Sequence, residues 1–159
     1  MGQGPKSRGR TASRVAAVQA LFQTEQAGDS SETVIDQFIR HRLGQLAESG
    51  GFDDGRAPDA EVPLFQRVVR TASRQQVEID AQLSEALPPD WPLARLDPVL
   101  RALLRAGTAE LRMTENAAPA KVVINEYLDV ARGFFTGAEP GLANAVLDRL
   151  ARALRTAEF

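Results

Sequence analysis

Cysteine is absent from the chain. Its absence excludes disulfides, thiolate metal ligands and cysteine nucleophiles, and it points to a reducing compartment. Histidine occurs once, at His41, so any site that needs two histidines is excluded as well. No run of about 18 apolar residues exists, and nothing reads as a membrane-spanning segment. The N-terminus carries Lys6, Arg8, Arg10 and Arg14, but no apolar core follows them, so it does not read as a secretory signal. The expected compartment is the cytoplasm.

Catalytic signatures are missing too. There is no glycine-rich phosphate loop with lysine, no dinucleotide fingerprint, no H-E-x-x-H and no G-x-S-x-G. A hydrolytic triad would have to use His41, which stands in "FIRHRLG" without a serine or aspartate signature beside it. A surface or boundary histidine is the simpler reading. Asp53-Asp54 reads as a solvated turn. Glu126 and Asp129, three apart on one helix face, could share a proton or a metal, and a helix showing acids to water explains them equally well. Nothing here argues for an enzyme, a cofactor or a metal.

What is present is a chain of 159 residues, a length that fits one domain and needs no staples. The formal net charge is −2, but the charge is unevenly spread. The first fourteen residues hold four basic side chains and no acid. Taking those four from 19 basic residues leaves 15 against 21 acidic ones, a balance of −6 for the rest. That pattern is a basic arm on a mildly acidic body. Residues 1–9, polar and glycine-rich, read as a flexible arm, and 10–159 as the folded domain.

Apolar residues recur at helical spacing throughout. Val15, Val18 and Phe22 mark a first helix from about Arg10, closed by Gly28. Ser30 or Ser31 caps a second, carrying Val34, Ile35, Phe38, Ile39 and Leu46. "ESGGFDDGRAPDA", Glu48 to Ala60, is a loop and the candidate for disorder within the domain. Pro63 opens a third helix that runs through Val68, Ala72, Gln75, Ile79 and Leu83 to about Leu87, where Pro88-Pro89 and Pro92 stop it. Asp97-Pro98 starts a leucine-striped helix. Pro119 starts another, with Val123, Tyr127, Val130 and Phe134 on its packed stripe, and Pro140-Gly141 opens the last. No segment alternates with period two. The expected fold is all-α, a single-domain bundle of six or seven helices.

Two features point to a ligand. Arg10 and Arg14 share a helix face at i, i+4, where like charges repel by roughly a few tenths of a kcal/mol. Phosphates would offset that cost through charge-assisted hydrogen bonds, and the alternative is a solubilising tail. In "VVINEYLDVAR", Asn125 points about 200° from Val123 and so looks outward, with Lys121 one turn earlier on the same face. Glu126 lies about 60° to the other side of Val123. It borders the packed stripe, a structural position where it could accept from Arg105 or a helix N-terminus.

The blocks "RTASRVAAVQALFQTE", "LRALLRAGTAEL" and "KVVINEYLDVARGFF" with "LANAVLDRLA" resemble the NusB family of bacterial antitermination and ribosomal-RNA synthesis factors. The likeness spans roughly Arg10 to Leu150. It implies two packed helical subdomains and binding of single-stranded boxA RNA from ribosomal-RNA transcripts. It also implies a heterodimer with NusE, a small-subunit ribosomal protein, that joins RNA polymerase with NusA and NusG. A homodimer that buries the arm would be an RNA-free storage form. On this resemblance the RNA surface takes in Lys6, Arg8, Arg10 and Arg14, then Phe22 where the family commonly has tyrosine. It continues through Lys121 and Asn125 to Glu139 and Asn144. NusE is expected on the helices carrying Leu100 to Leu111 and the end of the third helix. Leu142 and Ala145 stand where the family often has phenylalanine and glycine, which removes a candidate stacking ring and adds a Cβ. A similar helical module begins the ribosomal-RNA cytosine methyltransferases, where a catalytic domain follows. A protein–protein adaptor without an RNA role is the third alternative.

Overall fold

The computed structural model describes residues 5–43 and 60–159, with side chains in the first helix from Arg8 onward. Seven α-helices occur among the described residues, and no strand. They are α1 (Pro5–Ala27), α2 (Ser31–His41), α3 (Val62–Arg74), α4 (Gln76–Ala86), α5 (Pro98–Arg112), α6 (Ala120–Phe134) and α7 (Glu139–Leu154). The chain divides into two compact units, Met1–Arg70 and Thr71–Phe159, with the division inside α3. No helix among the described residues is long and apolar enough to cross a membrane.

Two boundaries differ from the sequence expectation. Helix α1 opens at Pro5, so residues 5–9, expected in the flexible arm, are its first turns. Proline suits a first helical position because its missing N–H is an orphan there. Residues 1–4 of the arm, and 44–59 with Leu46, Asp53 and Asp54, lie outside the described residues. The single third helix is two helices, α3 and α4, broken at Gln75 (φ −108°, ψ 22°). No proline or glycine marks that break. The backbone bonds Gln75 N to Thr71 O and Ile79 N to Gln75 O persist on either side, and the Gln75 side chain accepts from Arg112 Nε at 2.6 Å. Caps follow the sequence more closely. Ser30 Oγ accepts from Thr33 N at 3.2 Å, Asp97 from Val99 N at 2.8 Å, and Gly28 ends α1 at φ +74°.

In the N-terminal unit α1 packs on α2. Phe38 of α2 stacks on Phe65 of α3, centroids 5.6 Å apart and 20° between planes. Arg70 clamps Glu32 through two 2.9 Å bonds, which raises the guanidinium pKa. Ser13 Oγ donates to the carbonyls of Gly9 and Glu61, tying the start of α1 to the start of α3.

In the C-terminal unit α5 is the centre, packed by α4, α6 and α7. Every residue of α5 from Ala102 to Leu111 except Arg105 is buried. A helix enclosed on all sides must be apolar nearly all round. Arg105 is the exception, clamped by Asp80 of α4 through 2.9 Å bonds from Nε and Nη2. Gly107 lets α6 and α7 approach. A Cβ there would sit 3.0 Å from Leu147 Cδ2 and 3.4 Å from the Tyr127 ring. Leu147 is fully buried and has little room to yield. Overpacking costs about 1–3 kcal/mol, and leaving glycine returns about 1 in helix propensity. Gly107→Ala is therefore expected to lower the melting temperature by a few degrees, which calorimetry checks.

Glu110 is 1% exposed and accepts from Tyr127 Oη at 2.9 Å. Removing that hydroxyl withdraws one donor from a buried carboxylate, at about 1–3 kcal/mol. Tyr127→Phe should lower the urea midpoint accordingly, with the slope unchanged.

Candidate nucleic-acid interface

The candidate residues fall on both units, and each group is described on its own unit. In the N-terminal unit Arg8 and Arg10 are exposed. Arg10 is drawn towards Glu61, Nε to Oε2 3.6 Å, with 44% of its side chain still accessible. A long, exposed ion pair of this kind holds weakly and yields to a phosphate. Lys6 stands in the first turns of α1. Phe22 is half-buried.

Arg14 is a correction. The i, i+4 spacing does place it on the face of Arg10, but its side chain is 1% exposed. It is the bulkiest fully buried side chain among the described residues, and its polar atoms have partners inside the fold. A guanidinium so placed is a structural group and does not present itself to a phosphate in solvent. The repulsion argued for Arg10 and Arg14 also loses its premise, since only Arg10 stands in water.

In the C-terminal unit Lys121 and Asn125 are both exposed, one turn apart on α6. Between them Val123 and Ile124 are buried, and Tyr127 closes the packed stripe. This answers to the helical phase read from Val123. An exposed amide offers donors and an acceptor together, the groups needed to read a base edge, and the ammonium beside it is a point charge for phosphate. Glu126 is half-buried and engaged within the structure. Asp129, the next outward position, pairs with Arg132 at 3.4 Å. Glu139 is half-buried in the first turn of α7, and Asn144 is exposed on the same helix.

One aromatic was misassigned by periodicity. Phe134 was expected on the packed stripe of α6, but it is 42% exposed at the helix end, beside Phe135 at 6.4 Å between centroids. Gly133 before it and the extended Phe135 after it end the stripe one turn early.

Sequence comparison assigns the chain. The NusB family profile matches residues 11–152. The transcription antitermination protein NusB of Granulibacter bethesdensis is 64% identical, over 97% of this chain and 94% of that protein. The chain belongs to the NusB family. Its fold agrees with solved members. T. maritima NusB superposes with a TM-score of 0.68 at 26% identity, over 96% of this chain and 93% of that one. A structure of the antitermination factors NusB and NusE in complex with double-stranded RNA shares the fold, with a TM-score of 0.66 at 22% identity, over 90% and 96%.

Proposed function

We propose that this protein is a cytoplasmic, non-enzymatic antitermination factor. It binds single-stranded boxA RNA together with NusE and joins RNA polymerase with NusA and NusG. Family membership carries the reading: the relative at 64% identity is named as a transcription antitermination protein. A family member has been solved with NusE and RNA together. Within this chain the exposed Arg8 and Arg10, with Lys6, contact the phosphate backbone from the start of α1. Lys121 and Asn125 on α6, with Glu139 and Asn144 on α7, form the base-reading group. Phosphate contacts fix position and amide contacts carry specificity. Phe22 is offered as a ring contact, and Phe134 presents an aromatic face that Leu142 cannot.

The test is a salt titration of binding to a boxA oligonucleotide, with and without NusE. Three or four neutralised phosphates give a slope of log K against log[salt] of about −2 to −3. Arg8→Ala with Arg10→Ala should bring that slope about two-thirds of a unit or more nearer zero per lost contact, with the melting temperature held. A wild-type slope near zero rejects the arm as an RNA contact. Asn125→Ala should weaken boxA binding more than binding of a scrambled strand. Equal losses on both would strip Asn125 of its base-reading role.

A further inference from the structure

A cleft of about 610 Å³ lies within the C-terminal unit, where α5 ends and the tail of α7 passes. Its wall carries two guanidiniums, Arg112 and Arg155. They are held very differently. Arg155 meets a carboxylate, Glu158, at 2.6 Å. Arg105, two turns earlier on the same face of α5, also has its carboxylate in Asp80. Arg112 has none. Its Nε donates to Gln75 Oε1 and its Nη1 to Gln82 Oε1, each at 2.6 Å. Both acceptors are neutral amides. They fix the guanidinium in direction while leaving its charge uncompensated among the described residues, and Nη2 stays available. A half-buried cation in that state is prepared for an anion that arrives from outside.

The surroundings narrow the ligand. Gln75 accepts through its oxygen, so its NH₂ group keeps its donors at the same wall. Thr114 adds an exposed hydroxyl. Next to these donors stand Ala117 and Leu154, both half-buried, and Met113. A bare phosphate would leave most of the volume empty, since ligand clefts of about 300–1,000 Å³ suit molecules with a ring as well. The lining thus supplies both donors and apolar groups. Glu158 excludes a second anionic group at the Arg155 end.

We infer that this cleft binds a nucleoside monophosphate unit, free or within an RNA strand, with the phosphate on Arg112 and the base against Leu154 and Ala117. The strand version rests on the RNA-binding reading above, and the free-nucleotide version does not. The residues that build the site, 75, 112, 117 and 154, are too far apart in sequence to form a motif.

Side-chain NMR of the full chain, titrated with uridine monophosphate, tests it. The Arg112 Nε–H and Gln75 NH₂ signals should shift and saturate at millimolar ligand. Inorganic phosphate alone should bind about tenfold more weakly, having no ring to bury. Arg112→Gln removes the charge, and Gln75→Glu supplies an internal carboxylate that occupies it. Both should abolish saturation, and the second should hold or raise the melting temperature, which separates ligand loss from misfolding. Uridine monophosphate binding that survives in both variants, or that never saturates in the wild type, overturns the assignment. Equal affinity for phosphate alone overturns the nucleotide part. A single-stranded RNA weakened by Arg112→Gln identifies the strand as source, and one unaffected identifies the free nucleotide. Should the wild type bind no RNA, the antitermination reading fails while the uridine monophosphate arm still decides the cleft.

Discussion

Arg14→Ala is expected to cost about 3 kcal/mol or more of stability, by removing a buried charged group and leaving its partners unsatisfied. Two terms act in the same direction. The side chain is 1% exposed, so truncation opens a cavity of arginine size. Its polar atoms have internal partners, and each partner then stays desolvated without its hydrogen bond. Against a total of about 5–15 kcal/mol, such a loss moves the denaturation midpoint far below that of the wild type. RNA binding by the fraction that remains folded should be close to normal. Arg14→Lys should recover part of the loss, because it keeps the charge without the planar fork. The opposite pattern, an unchanged midpoint with RNA affinity lost, would return Arg14 to the RNA surface. Arg8→Ala makes the natural comparison, since Arg8 is exposed and its loss should leave the midpoint in place.

The contrast between Arg10 and Arg14 shows what sequence could and could not tell. Helical phase placed both on one face, and that placement is sound. Phase says nothing of how deep a face is covered, and depth decides whether a guanidinium is a ligand contact or a core group. The same limit explains Phe134, whose phase matches the packed stripe but whose position at the helix end leaves it 42% exposed. Helix starts were legible where a side chain itself makes the cap, as at Ser30 and Asp97. The break at Gln75 was illegible, because no proline, glycine or capping side chain marks it. Asn125 and Lys121 were placed correctly as outward because their neighbours Val123 and Tyr127 fix the helix rotation with two fully buried side chains. The cleft at Arg112 was illegible for a different reason. Its chemistry arises from residues that only the fold assembles.

Arg155→Ala should be the other severe variant, at about 3 kcal/mol, because one side chain satisfies several helix-end carbonyls at once. Its Nε donates to Leu111 O at 2.7 Å, Nη2 to Glu110 O at 3.2 Å and Nη1 to Ala118 O at 3.2 Å. The first two are among the final carbonyls of α5, where the helical ladder runs out and Glu110 O otherwise accepts only from the Met113 N–H at 3.2 Å, and a cation there also meets the negative end of the helix dipole. Nη1 further meets Glu158, whose other oxygen accepts from Ala120 N at 2.8 Å at the start of α6. One arginine and one glutamate from the chain's end thus cap the close of α5 and the opening of α6 together. The Glu158 carboxyl is held below its ordinary 4.5, first by the Ala120 N–H and then by Arg155. A lowered carboxyl pKa contributes stability that is present above the ordinary value and is lost as pH falls through the folded value. Melting curves of the wild type and Glu158→Gln should therefore differ at neutral pH and converge under acid. Arg155→Ala should weaken the wild type's acid dependence as well as lowering its midpoint. Curves that stay parallel down to about pH 2, well below the ordinary carboxylate range, would deny Glu158 its capping role. A midpoint for Arg155→Ala within about 0.5 kcal/mol of wild type, the scale of an ordinary surface substitution, would show that water replaces the guanidinium at those carbonyls.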